Sequence, residues 1–210
     1  PDAAGDAVLR WHAADIEALP DLEWIGYLST TGVYGDRNGD WVDEESALRP
    51  TGERGRRRVA AENAWRCLRT RAAAHLFRLA GIYGPDRNAI ETVRRGRAHR
   101  IVKAGQVFSR THVDDIVQVL RASIAGPNPG AAYNVCDDEA APPQDVIAYA
   151  CDLLGVDPPP ETAIEDAALS DMAKSFYRDN KRVCNRRIKQ ELGVALKWPD
   201  YRQGLRGLIE

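Results

Sequence analysis

Ser29, Thr30 and Thr31 stand inside the run YLSTTGVYG. Hydroxyls delivered at the end of a buried strand can hydrogen-bond the oxygen of a ligand. A second group is cationic. Arg54 and Arg58 stand four residues apart with Arg56 and Arg57 between them, so on a helix Arg54 and Arg58 share a face. Guanidinium forks on one face suit a carboxylate or phosphate. The alternative is a solvated helix side with a salt bridge to Glu53 or Glu62. That alternative is preferred for Arg56 and Arg57, and both readings stay open for Arg54 and Arg58. Arg110 and His112 precede Asp114 and Asp115. His112 reads as a brace or cap for the helix that follows. The two aspartates read as N-terminal acids favoured by the helix dipole, not as a catalytic carboxylate pair. Asn180, Lys181 and Arg182 form a polar cluster that suits a phosphate or carboxylate, with a solvated loop as the preferred reading.

These residues need elements to hold them. Asp6 is placed to cap a helix with Leu9, Ala13 and Ile16 on one face. Leu22 to Ser29 reads as a strand buried on both faces, followed by a loop rich in Gly and Asp. A helix is expected near Arg56 to Arg69, with Ala61, Ala64, Trp65 and Leu68 turned inward. Ala74 to Gly84 is the next strand. HRIVK and QVFSR read as short strands around Ala104–Gly105. Asp114 opens a helix that buries Ile116, Leu120 and Ile124. AAYNVC is a further strand, and Pro143 begins a helix with Val146, Ile147, Ala150, Leu153 and Leu154 as its apolar stripe. Gly155 stops that helix, and Gly193 ends a short one over Asn185 to Leu192. Strands alternating with helices imply a parallel sheet with right-handed crossovers. Ligands bind such sheets at the carboxyl ends of the strands, so the loops after Ser29, Gly81 and Val135 should line any site.

The 210 residues suit one domain with a small lobe, and 29 basic against 31 acidic residues leave a net charge of −2. That balance argues against nucleic acid as the main partner. The cysteines, Cys67, Cys136, Cys151 and Cys184, form no CxxC motif and read as reduced, buried thiols of a cytoplasmic protein. No metal site is expected. No run of 18 apolar residues is present to span a membrane.

YLSTTGVYG, RLAGIYGP, RTHVDDIVQVL and AAYNVCDDE, with LEWIGYLS ahead of them, resemble in order and spacing the extended short-chain dehydrogenase/reductase superfamily, of the NAD-dependent epimerase/dehydratase type. The resemblance implies a doubly wound, Rossmann-like α/β sheet with a small C-terminal substrate lobe. It also implies NAD or NADP as cofactor and hydride transfer at an alcohol carbon of a small molecule. It divides the chain into a cofactor-side part, 1–83 and 109–136, and a substrate lobe, 84–108 and 137–210. Pro1 falls just before the family's fourth crossover helix, so the glycine-rich turn that takes the pyrophosphate is expected to lie outside this sequence. Thr30 takes the family's catalytic Ser/Thr position. Ser29, Thr30, Leu79, Ala80 and Gly81 fall where relatives pass the nicotinamide. Arg110 falls near the substrate cleft, and Lys181 and Arg182 are further anion candidates. The family's YxxxK falls on Arg54 and Arg58, and an arginine does not release its proton at working pH. Two functions follow as expectations: an atypical oxidoreductase, or a non-catalytic dinucleotide or metabolite sensor acting through a protein partner. An open apolar sheet edge at the first strand gives the further expectation of self-association, with a homodimer as one form.

Overall fold

The structure is a computed structural model and describes residues 1–209. In chain order its elements are α1 (Ala7–Glu17), β1 (Gly26–Thr30), a 3₁₀ turn (Thr31–Tyr34), β2 (Trp41–Val42), α2 (Glu53–Arg66), β3 (His75–Leu79), β4 (Gly81–Tyr83), α3 (Ala89–Arg94) and β5 (Arg100–Val102). They continue with β6 (Arg110–His112), α4 (Val113–Ala125), β7 (Ala132–Val135), α5 (Pro143–Leu154), β8 (Glu161–Ala163), α6 (Asp171–Tyr177), β9 (Arg182–Val183), α7 (Arg186–Leu192) and α8 (Tyr201–Arg206).

The main sheet runs β1-β3-β7, all parallel, with β3 in the centre and Leu28 beside Phe77 and Phe77 beside Tyr133. Side chains alternate across a strand, so β3 feeds two cores. Leu76 joins Tyr27, Ala61 and Trp65 under α1 and α2. Phe77 and Leu79 join Ile116, Val119, Tyr133 and Val135 under α4. Helices thus cover both faces, which makes this a doubly wound α/β sheet. Ile188 and Val194 pack into the second core, so α7 returns to the sheet. A third core of Tyr83, Ile90, Val146, Ala150, Tyr201 and Leu205 builds a smaller lobe from α3, α5 and α8.

Local chemistry explains the element ends. The Asp6 carboxylate accepts from the N–H groups of Val8 and Leu9 and starts α1. Gly155 and Gly193 take left-handed backbone and stop α5 and α7. His112 caps α4, its Nδ1 accepting from the Asp114 N–H at 3.1 Å.

Several expectations are corrected. Strand β1 begins at Gly26 and is not buried on both faces: Tyr27 and Ser29 turn toward α2, while Leu28 turns away and is 44% exposed, because β1 is an edge strand. Ala64 and Ile124 are exposed, each one helical step beyond its buried stripe. QVFSR forms no strand of its own; Phe108 makes a single bridge to Ala141, and β6 starts only at Arg110. All four cysteines are free, and Cys136 and Cys151 are buried, but Cys67 is exposed just past the end of α2. Among the described residues no helix is long and apolar enough to cross a membrane, and no group of three or more His, Cys, Asp or Glu is placed to hold a metal ion.

Candidate functional site

Thr30 ends β1 at the carboxyl edge of the sheet and is partly exposed. Its Oγ1 accepts from the Gly32 N–H at 3.2 Å, which fixes the start of the 3₁₀ turn and leaves the hydroxyl proton free to donate. Ser29, one residue back, points the other way. It is buried and donates to Glu62 Oε1 at 2.6 Å.

Glu62 belongs to a buried polar network that sequence reasoning missed. Its carboxylate takes two nitrogens of Arg78, with the closest contact at 2.9 Å, and the two side chains are 1% and 3% exposed. Arg78 also donates to Tyr34 Oη at 2.9 Å, and Tyr34 donates onward to Asn134 Oδ1 at 2.7 Å. Burial pushes the Tyr34 phenol up to about 12, against the opposing pull of Arg78. Glu44 Oε1 accepts from the Asn134 N–H at 2.7 Å and so occupies the open edge of β7. The signal was present in the sequence: Arg78 is the one charge inside the strand HLFRL, and Glu62 lies beside the inward Ala61 on α2.

The four helix arginines separate. Arg56 and Arg57 both bridge Glu53 at 3.1 Å on an exposed helix start, and Glu62 is not their partner. Arg54 is exposed. Arg58 donates through Nη1 to the Leu28 carbonyl at 2.9 Å and to Tyr27 Oη at 3.2 Å, with its guanidinium over the Tyr27 ring. Arg58 therefore lies along the open edge of β1.

The remaining assigned residues are dispersed. Leu79 and Ala80 are buried, whereas Gly81 is exposed. The N–H of Ala80 is taken by the Val135 carbonyl and that of Gly81 by the Ser109 carbonyl, both at 3.1 Å. Of the five cofactor positions, Thr30 is the one whose side-chain donor is unengaged, so the fit to a dinucleotide rests on it and on backbone carbonyls. The 180–182 cluster is not a solvated loop. Asn180 fastens three segments, donating to Asp36 and to the Gly105 carbonyl and accepting from the Val107 N–H. Lys181 pairs with Asp179 at 3.6 Å, and Arg182 donates to the Gly39 carbonyl. Asp114 and Asp115 both hold the chain before α8: Asp115 accepts from the N–H groups of Lys197 and Trp198, and Asp114 from their side chains.

Arg110 is half-buried. Its Nη1 donates to the carbonyls of Phe108 and Ala141 at 2.8 and 3.1 Å. Asp137, in the loop after β7, donates its N–H to the Arg110 carbonyl at 2.7 Å. Its carboxylate is buried, and neither oxygen accepts a hydrogen bond of ordinary geometry. Burial pushes it up to about 8, with the Arg110 charge pulling the other way.

No protein-family profile and no curated protein matches the chain. Solved structures do. A functionally unknown conserved protein from Silicibacter pomeroyi is 56% identical over 99% of this chain and 73% of its own length, with a TM-score of 0.93. The chain belongs to the family of that protein. More distant members of the same fold carry functional names. A protein of Methylobacillus flagellatus assigned as an NAD-dependent epimerase/dehydratase is 24% identical, covering 96% of this chain and 68% of that one, at a TM-score of 0.72. The dTDP-glucose 4,6-dehydratase of Bacillus anthracis str. Ames, solved with NAD, is 16% identical, with 96% of this chain and 64% of that one covered, at a TM-score of 0.72. At such identities the likeness establishes the fold alone, a Rossmann-like α/β fold. The chain spans about two thirds of the length of these two relatives.

Proposed function

We propose that this chain is part of an NAD(P)-binding protein of epimerase/dehydratase type that acts as an oxidoreductase on a small molecule without a tyrosine acid/base. The sheet part, 1–83 and 109–136, with α7 returned to it, faces the dinucleotide; 84–108 and the rest of 137–210 form the substrate side. The observation that carries this reading is Thr30 at the carboxyl end of β1, its hydroxyl proton free, in a fold shared with relatives solved with NAD. Thr30 would donate a hydrogen bond to a substrate oxygen. Neither arginine at the family's acid/base positions exchanges a proton near neutral pH.

The engagement of Arg58 with β1 favours a second reading, a sensor that binds dinucleotide without turning it over. One experiment separates the two. The protein carrying this chain is titrated with NADH and NADPH, then screened for their consumption with small carbonyl compounds. Consumption that Thr30→Val slows supports the oxidoreductase; binding without consumption supports the sensor; absence of binding contradicts both.

A further inference from the structure

Two of the free thiols stand together. Cys136 follows β7 and is buried. Its Sγ donates to the Val183 carbonyl at 3.2 Å, and that carbonyl belongs to the peptide that joins Val183 to Cys184. On the other side of Cys184, Asn185 Nδ2 donates to the Cys136 carbonyl at 2.9 Å. Asn134 Nδ2 donates to the Cys184 carbonyl at 3.1 Å. These hydrogen bonds fix the end of β7 against residues 183–185, although the two cysteines are far apart in sequence. Burial pushes the Cys136 thiol well above its ordinary value, and the charges of Asp137 and Cys184 act in the same direction. Cys184 differs in access. It is half-buried and lines a cavity of about 280 Å³ with Trp41, Val42, Asp43, Ser46 and Arg186. Trp41 and Arg186 are exposed, so this cavity opens to solvent. The space is far larger than the roughly 30 Å³ share of one water, so a small oxidant reaches the thiol. The other two cysteines lie elsewhere, Cys67 exposed past the end of α2 and Cys151 buried on α5.

We propose that Cys184 and Cys136 form a reversible oxidation site: hydrogen peroxide enters the cavity and oxidises Cys184, and Cys136 then closes a disulfide with it. In the first step the Cys184 thiolate attacks one peroxide oxygen. An S–O bond forms and the O–O bond breaks. The departing hydroxide takes up the proton that Cys184 released and leaves as water, and Cys184 is now a sulfenic acid. In the second step the Cys136 sulfur attacks the Cys184 sulfur. The S–S bond forms, the S–O bond breaks, and the hydroxide leaves as water with the Cys136 proton. One peroxide is thereby reduced to water and both thiols are oxidised. Access sets the order. Cys184 meets the oxidant in the cavity, whereas Cys136 is buried behind it. The bond ties the loop after β7, at a strand end where ligands bind such sheets, to β9 and through β9 to β2. The proposal is independent of dinucleotide binding.

The test uses the protein carrying this chain with Cys67→Ser, which removes the exposed thiol. The native protein is treated with a small excess of hydrogen peroxide, free thiols are blocked with iodoacetamide, and peptides are mapped by mass spectrometry without reduction. A peptide pair joined through Cys136 and Cys184 is expected, and dithiothreitol returns both thiols. In Cys136→Ser, Cys184 is expected as a sulfenic acid captured by dimedone. In Cys184→Ser, Cys136 is expected to stay reduced. The joined pair is read with both cysteines in place, so that result does not depend on a core variant folding. Both thiols left free, Cys184 carried to the sulfinic acid with Cys136 free, or a joined pair that forms only in urea overturns the proposal. Oxidation of Cys136 in Cys184→Ser overturns it as well, because the buried thiol would then need no partner.

Discussion

Glu62 carries the clearest consequence at the scale of one residue. It is the counter-charge for a buried Arg78 and the acceptor for Ser29. Removing one member of such a pair leaves an uncompensated buried charge, whereas replacing both by apolar groups of like volume costs far less. Glu62→Ala should lower unfolding stability by about 3–5 kcal/mol in urea, and Glu62→Leu with Arg78→Met by clearly less. Asp137 gives a pH signature. With its carboxyl raised to about 8, the folded chain keeps a proton that the unfolded chain releases near pH ~4. Stability from this group is full below pH ~4 and is lost as the pH climbs to the folded value. Unfolding free energy measured at a series of pH values should therefore fall across that window, and Asp137→Asn should flatten the fall. An unchanged slope would place the protonated group elsewhere.

The elements depend on a few close approaches. Helix α8 meets Tyr83 of β4 through Gly204, and an alanine there forces a buried ring to move. Gly204→Ala should cost about 1–3 kcal/mol by overpacking, read as a lower thermal midpoint. The same elements show what the sequence made legible. Caps and stops were readable because each is local: Asp6, Pro143, Gly155 and Gly193 act within one turn. The order of β1, β3 and β7 and of the helices between them was readable from period and punctuation; the break of Ala74 to Gly84 at Ala80 into β3 and β4, which pairs β6 in a separate sheet, was not, nor were α3, α6 and α8. Partners distant along the chain were not. Nothing local ties Asn180 to Asp36 or Asp115 to Trp198. The exposure of Leu28 depends on where a sheet ends rather than on its neighbours in sequence. At the candidate site, the position of Thr30 was legible as a hydroxyl at a strand end. The separation of Arg54 from Arg58, which i,i+4 spacing alone does not decide, was not. Asp137 gave no motif, because only the fold brings it to Arg110.

For the whole molecule, the open edge of β1 matters most. A free edge with an exposed leucine is a template for pairing with another chain. Arg58 blunts it by occupying the Leu28 carbonyl. Arg58→Ala should increase concentration-dependent self-association in sedimentation velocity, and Leu28→Lys should reduce it; the reverse order would mean that another surface drives association. The functional proposal depends on the sheet as a dinucleotide platform in which Thr30, rather than either arginine, meets the ligand. Its most direct test is a fluorescence titration of NADH into the protein that carries this chain. Saturable binding in the micromolar range is expected, weakened by Thr30→Val and preserved in Arg54→Ala. No saturable change in emission up to millimolar NADH would contradict it.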